Sequence, residues 1–216
     1  MYNYVEDKEF LFKAQTCCSN MMKQLEERLR KKGTNIQYFL IGSGARNMVT
    51  KNEDGPIDFD YNLNIFSTDN WDEKAIKEKV RLTFNSVLKE NGIGDCSDST
   101  SSLTTKNIYF TKGNDTEFSI DLAIVTKKDG LWHRLIHDKH CIPNRYYWVT
   151  ALNSSDYKEK GDAIKTIPGA WKYVRDAYLN KKNMYLSRND ENHPSFICFI
   201  EAVNEVYKTL KDRNYL

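Results

Sequence analysis

The sequence predicts an α+β protein with a mixed β-sheet core, flanking helices and a helical C-terminal half. Apolar residues recur every three or four positions over residues 5–31, which is the spacing of a helix with one buried stripe. Segments typical of strands follow at 36–41 and 57–66. Beyond residue 156 the pattern is mostly helical again. Strands and helices are thus mixed in the first part of the chain, whereas helices dominate its end.

The first helix is predicted over residues 5–31 because its apolar positions share one face. These positions are Phe10, Leu11, Ala14, Cys17, Cys18, Met21, Met22, Leu25 and Leu29. The strands at 36–41 and 57–66 are joined by a polar loop, since glycine and proline interrupt regular structure there. A second helix is predicted over residues 71–91, and Asn91-Gly92 closes it.

Two further strands are predicted at 103–111 and 116–125, with a turn at 112–115 between them. Three more helices complete the layout, at 156–167, 168–182 and 194–212. We therefore expect a core domain at residues 1–130. A mainly helical region at residues 131–216 is expected to pack on it.

Composition limits the classes of function. The chain has 216 residues and a formal net charge of +2, from 32 basic and 30 acidic residues, so it has no overall attraction to nucleic acid or to anionic lipid. Its five cysteines are an odd number and do not form a disulfide framework. No long apolar run or leader-like start is present. We expect a cytoplasmic protein that does not associate with membranes.

The chemistry is expected at three aspartates on two predicted strands. Asp58 and Asp60 are two residues apart, so their side chains leave one face of the strand. Asp121 lies on another strand, on the face opposite its apolar neighbours. If these strands are adjacent, the three carboxylates converge. Oxygen ligands of this kind suit hard divalent cations, above all Mg²⁺.

A glycine-rich segment precedes the aspartates. Gly42-Ser43-Gly44 follows an apolar strand, where backbone amides and a hydroxyl can approach phosphate closely. With Asp58-Phe59-Asp60 and Asp121, this arrangement resembles the DNA polymerase beta-like nucleotidyltransferase superfamily. The resemblance covers roughly residues 30 to 126, although fourteen residues lie between Ser43 and Asp58, which is slightly long for that superfamily.

The resemblance implies transfer of a nucleoside monophosphate from a nucleoside triphosphate to an acceptor hydroxyl, with release of pyrophosphate. It makes residues 1–130 the catalytic core, with Asp58, Asp60 and Asp121 as the catalytic residues and as ligands of two Mg²⁺ or Mn²⁺ ions. Gly42, Ser43 and Gly44 would bind the nucleotide, and Arg46 could add a contact to the triphosphate. The acceptor stays open between a small molecule, a protein and an RNA or oligonucleotide. A catalytically silent nucleotide-binding or protein-interaction module of the same fold is the alternative.

A second cluster of candidate ligands lies at residues 132–141. His133 and His137 would share a face if this segment were helical, with His140 and Cys141 next in sequence. Such a set could bind zinc. The same residues also describe a basic polar helix face and the loop after it. A local basic patch that meets a polyanionic substrate or the triphosphate is favoured over zinc, because the usual paired cysteines are missing.

Overall fold

The computed structural model describes residues 1–67, 72–151, 156–190 and 194–216. The chain forms two compact units. One consists of Val5–Val49 and Asp54–Leu152, and the other of Met1–Tyr4, Thr50–Glu53 and Asn153–Leu216. We call them the sheet unit and the helical unit. The predicted α+β class is confirmed.

The sheet unit begins with helix α1 (Lys8–Lys31), strand β2 (Ile36–Leu40) and a single helical turn, α2 (Gly42–Ala45). Strand β4 (Ile57–Ile65) and helix α3 (Glu73–Glu90) follow. The short strands β5 (Ser97–Asp98) and β6 (Leu103–Thr104) lead to the long strand β7 (Phe118–Lys128). Strands β8 (Leu131–Asp138) and β9 (Arg145–Thr150) complete the unit. The position of residue 71, where α3 was predicted to begin, lies outside the described residues.

Seven strands form one mixed sheet in the order β2-β4-β7-β6-β5, with β8 paired to β7 and β9 paired to β8. Strand β4 is antiparallel to β2 and parallel to β7. The apolar face of β4, with Phe59 and Tyr61 almost fully buried, belongs to one core together with the buried stripe of α1. Alternation along β4 therefore directs Asp58 and Asp60 to the opposite face.

The helical face considered within residues 132–141 is wrong, since Leu131–Asp138 is strand β8. It pairs antiparallel with β7, where Arg134 lies opposite Val125, and with β9, where Arg134 lies opposite Val149. Residues just beyond the predicted boundary at 130 thus belong to the sheet. The strand predicted over 103–111 is also shorter than expected, because only Leu103–Thr104 and an isolated bridge from Ile108 to Phe118 pair.

The helical unit contains helices α4 (Asp156–Lys165), α5 (Trp171–Ser187) and α6 (Ser195–Asp212), together with a two-stranded pair of β1 (Tyr2–Tyr4) and β3 (Thr50–Asn52). Asn183 of α5 bonds both backbone groups of Tyr2, which attaches β1 to that helix. Phe199 of α6 packs edge-on against Tyr157, Trp171 and Tyr178. All five cysteines of the chain are free thiols.

Candidate active site

The sheet register places the three aspartates beside one another. Strands β4 and β7 are parallel neighbours, with Asp60 directly opposite Asp121 and Asp58 opposite Ser119. Residues opposite each other on neighbouring strands point to the same face, and such strands are about 4.8 Å apart. Asp58, Asp60 and Asp121 therefore share one small area of one sheet face.

The electrostatics reflect this concentration of negative charge. The pKa of Asp60 is raised to about 6, chiefly by burial and then by the charges of Asp121 and Asp58. Burial also raises the pKa of Asp121, with Asp58 adding to the effect, while a hydrogen bond from Thr104 and the charge of Lys106 oppose it. Like charges at this distance disfavour each other's ionised form, so the group gains from a positive partner.

Two hydroxyl groups bind the flanking carboxylates. Ser119 Oγ donates a hydrogen bond to Asp58 Oδ1 at 2.6 Å, and Thr104 Oγ1 donates one to Asp121 Oδ1 at 2.5 Å. Neither hydroxyl was predicted from the sequence to have a role. Ser119 precedes Asp121 by two residues on the same strand face, which is a signal available from sequence. Thr104 is placed only by the pairing of β6 with β7.

The glycine-rich segment lies directly against Asp60. The backbone N–H of Ile41 donates to the Asp60 carbonyl at 2.8 Å, which joins the start of α2 to β4. Gly42 has a φ of 65°, and a Cβ added there would lie 2.2 Å from Asp60 Oδ2. Both the backbone conformation and the close approach therefore require glycine. Gly44 is buried beside Phe59, and Ser43 is partly exposed, with its carbonyl accepting from Arg46 N and Met48 N.

Positive side chains surround the aspartates. Arg46 ends α2, and its charge opposes the rise in the pKa of Asp60. The charge of Arg134 also lowers the pKa of Asp60, and its effect is larger than that of Arg46. Because Arg134 lies opposite Val125, it shares the sheet face of Asp121. Sequence reasoning placed this arginine on a basic helix face and did not assign it to the aspartate site.

The zinc cluster suggested at residues 132–141 does not form on β8. His133 and His137 are four residues apart on a strand, a separation of about 13 Å along the chain, whereas ligands of one zinc ion must meet within a few ångströms. His137 Nδ1 lies 2.7 Å from Asp98 Oδ2. Cys141 donates its thiol to Asp138, and the Asp138 carboxylate also accepts from the backbone N–H of His140.

Within the described ranges, no group of three or more histidine, cysteine, aspartate or glutamate side chains has the arrangement of a ready-made metal site. At the three aspartates, one oxygen of Asp58 and one of Asp121 accept bonds from Ser119 and Thr104. Each of these carboxylates carries a second oxygen. Their chemistry still fits a hard divalent cation, because all donors are oxygen atoms, and burial together with the charges of Asp121 and Asp58 raises the pKa of Asp60.

The fold is similar to that of several solved structures. CdnC of E. coli MS115-1, solved with ATP, has a TM-score of 0.59 at 13% identity, and the match covers 99% of this chain and 62% of CdnC. The Elizabethkingia meningoseptica CdnE cyclic dinucleotide synthase, with GTP and Apcpp, has a TM-score of 0.53 at 13% identity over 88% of this chain and 68% of that one. The Vibrio cholerae DncV cyclic AMP-GMP synthase, solved with nonhydrolyzable GTP, has a TM-score of 0.51 at 11% identity. That match covers 69% of this chain and 39% of DncV.

These likenesses establish the fold. The chain has the polymerase beta-like nucleotidyltransferase fold, as the sequence resemblance predicts. It spans 62% of the length of CdnC. No family model and no curated protein sequence matches the chain. In the part of the chain that the structure describes, every helix is too short or too polar to cross a membrane.

Proposed function

We propose that this protein is a metal-dependent nucleotidyltransferase that moves a nucleoside monophosphate from a nucleoside triphosphate to an acceptor hydroxyl. The observation that carries the proposal is the in-register pair of Asp60 and Asp121, with Asp58 beside it and Gly42 against Asp60. Two or three carboxylates next to a glycine-rich turn are suited to holding a metal-bound triphosphate. The fold supports this assignment, because the similar structures were solved with ATP or GTP.

Asp58, Asp60 and Asp121 are the residues that would hold two Mg²⁺ or Mn²⁺ ions. When bound, such ions neutralise charge on the phosphates and lower the pKa of the acceptor hydroxyl. The raised pKa of Asp60 supports this assignment, since burial and the charges of Asp121 and Asp58 disfavour its ionised form in the protein alone.

The protein's own groups then have separate tasks. The backbone of Gly42, Ser43 and Gly44 binds the terminal phosphates, and the guanidinium groups of Arg46 and Arg134 add positive charge on the aspartate side. Asp121 accepts the proton of the acceptor hydroxyl. As the oxygen of that hydroxyl bonds to the α-phosphorus, the bond from that phosphorus to the bridging oxygen breaks and pyrophosphate leaves with the electron pair.

The acceptor that the similar structures favour is the hydroxyl of a second nucleotide. CdnE is described as a cyclic dinucleotide synthase and DncV as a cyclic AMP-GMP synthase. The near-neutral charge of this chain agrees with a small acceptor, because binding of long nucleic acids requires an excess of basic residues. We therefore place a nucleotide ahead of a protein or an RNA as the acceptor.

The test is incubation of the full chain with each α-³²P-labelled nucleoside triphosphate, singly and in pairs, with Mg²⁺ or Mn²⁺. We expect labelled oligonucleotide or cyclic products by thin-layer chromatography, together with pyrophosphate. Asp121→Asn should lower the rate by about 100-fold or more while keeping most of the affinity for a nonhydrolysable triphosphate, since proton transfer matters only in the chemical step.

Asp54→Asn is the matched control, because Asp54 is exposed and lies outside the aspartate group. It should leave the rate unchanged. Triphosphate binding without product under every metal and nucleotide combination would instead support a catalytically silent nucleotide-binding module, and would overturn the proposed reaction.

A further inference from the structure

Lys106 lies one strand beyond the aspartates, on the side away from the glycine-rich segment. Strand β6 pairs antiparallel with β7, with Thr104 opposite Asp121. The same register, continued two residues along the chain, brings Lys106 beside Ser119. Because Ser119 lies opposite Asp58 on β4, Lys106 is in one row with that aspartate across the sheet.

Hydrogen bonds on either side hold the backbone of Lys106 against β7. The Thr105 N–H donates to the Ile120 carbonyl at 2.9 Å, and Thr105 Oγ1 accepts from the Ile120 N–H at 2.8 Å. The Asn107 N–H donates to Glu117 Oε1 at 2.8 Å. Since Thr105 is almost fully buried and Lys106 is exposed, side chains alternate here as on a strand. The Lys106 side chain therefore shares the sheet face of the aspartates.

The ammonium group of Lys106 lies near the aspartates without being bound to them. Its charge lowers the pKa of Asp121, although burial raises that pKa more. Within the described ranges, no hydrogen bond or ion pair involves this ammonium group. The nearby carboxylates have other donors, since Glu117 accepts from Asn107 and Asp121 accepts from Thr104. A lysine in such a position suits a phosphate group, which it binds as a point charge.

The strand order gives the site a donor side and an acceptor side. Gly42 lies against Asp60 on the side of β2, where the proposed function places the phosphates of the donor triphosphate. Asp121, which accepts the proton of the acceptor hydroxyl in that function, lies on the side of β6. Lys106 is beyond Asp121 in the same direction, so it belongs to the acceptor side.

We propose that Lys106 binds a phosphate group of the acceptor, so that the acceptor is a nucleotide with its own phosphate and not a nucleoside. This inference rests on the proposed function, because that function decides which side of the aspartates the acceptor occupies. Lys106 is a positioning residue in this arrangement. A charged contact away from the reacting hydroxyl orients that hydroxyl toward Asp121 without taking part in bond formation.

Calorimetric titration of the full chain, saturated with Mg²⁺ and a nonhydrolysable ATP or GTP analogue, tests the contact. The titrants are AMP, GMP, CMP and UMP, the corresponding nucleosides, and inorganic phosphate. We expect saturable binding of a nucleoside monophosphate, about tenfold or more tighter than its nucleoside, which is the effect of one hydrogen bond to a charged group. Lys106→Met should abolish this preference and leave the affinity for the triphosphate analogue unchanged.

Lys106→Arg should retain the preference, because it keeps the positive charge. The matched control is Lys112→Met, since Lys112 is an exposed lysine of the same connection between β6 and β7. It should also retain the preference. Thermal unfolding of Lys106→Met should match that of the unsubstituted chain, which separates lost binding from lost folding.

Four outcomes would overturn the inference: no saturable binding of any monophosphate, inorganic phosphate binding as tightly as the monophosphate, a preference that persists in Lys106→Met, or an equal loss of triphosphate affinity in that variant. The same titrations without the triphosphate analogue separate this inference from the proposed function. A chain that binds no triphosphate defeats the proposed reaction. Monophosphate binding to the chain with Mg²⁺ alone, if it depends on Lys106, would still support the phosphate contact.

Discussion

Two charged clusters in the sheet unit differ in how they shift the pKa of a partly buried aspartate. At Asp58, Asp60 and Asp121, like charges meet on one sheet face, and the pKa of Asp60 rises to about 6. At Asp98, burial alone would raise the pKa, but hydrogen bonds from Lys77 and His137 lower it overall. The charges of Arg134 and Arg46 offset only part of the rise in the pKa of Asp60, whereas the partners of Asp98 lower its pKa overall.

Under the proposed function, the difference separates a group that binds metal and substrate from one that stabilises the fold. A concentration of carboxylates lowers stability unless a cation binds, which is why such groups are candidates for functional sites. A buried lysine with a carboxylate partner needs no ligand, because each charge compensates the other. Three experiments test this contrast, from the largest expected effect to the smallest.

Lys77→Met should cause the largest loss of stability. Only 2% of the Lys77 side chain is exposed, and its Nζ lies 2.6 Å from Asp98 Oδ1. Removing this cation leaves a largely buried carboxylate without its strongest partner, which costs about 3 to 5 kcal/mol of unfolding free energy. Denaturant unfolding monitored by circular dichroism measures it.

The control is Lys89→Met on the same helix, where Lys89 pairs with Asp95 but both side chains are more than half exposed. Its effect should be below about 1 kcal/mol. Adding Asp98→Asn to Lys77→Met should recover part of the lost stability. Equal, small losses in both lysine variants would show that the buried pair is not the structural element described above.

Asp60→Asn should act in the opposite direction and stabilise the metal-free protein near pH 7. The folded-state pKa of about 6 lies above the ordinary value of 3.8, so the ionised carboxylate disfavours the folded state. This unfavourable contribution grows as pH rises from about 4 to about 6 and is complete above that, where it amounts to about 3 kcal/mol.

The free energy of unfolding, measured in EDTA at pH 4 and at pH 7, tests whether Asp60→Asn stabilises the protein. The stability gain of Asp60→Asn over the unsubstituted chain should be clear at pH 7 and nearly absent at pH 4, while Asp54→Asn should show no such dependence. A variant that is less stable at pH 7 would show that Asp60 is already compensated, as Asp98 is.

Ser119→Ala should have the smallest effect. It removes the 2.6 Å hydrogen bond to Asp58, a residue that is largely exposed and can bond water instead. We expect a loss of about 1 kcal/mol. A double-mutant cycle with Asp58→Asn isolates this bond, and a coupling energy near zero would mean that Ser119 does not position the Asp58 carboxylate.

Local pattern was sufficient for much of the fold. The buried stripe of α1 and the alternation of β4 follow from side-chain spacing alone, because one helix or strand must present one apolar face. The same periodicity puts Asp58 and Asp60 on one face. Gly42 was also identified from sequence as a position of close backbone approach, and the structure brings it against Asp60.

Residues 131–138 show where local pattern fails. Leu135 and Ile136 form a short apolar pair that suits a helix or a strand equally well. The hydrogen-bonding edge of β7 decides the outcome, since Val125 to Lys128 pair with Arg134 to Leu131. A helix was predicted because the sequence of this segment does not show which edge is available to it.

The sequence by itself determined the long helices, strands β2, β4 and β7, and which residues could carry chemistry, because these depend on spacing along one segment. Only the tertiary structure decided that Asp60 lies opposite Asp121 and that Lys77, Asp98 and His137 form one network. Those contacts join residues distant in the chain. They are set by strand order and register, which arise from pairing between segments and leave no periodic signal in either one.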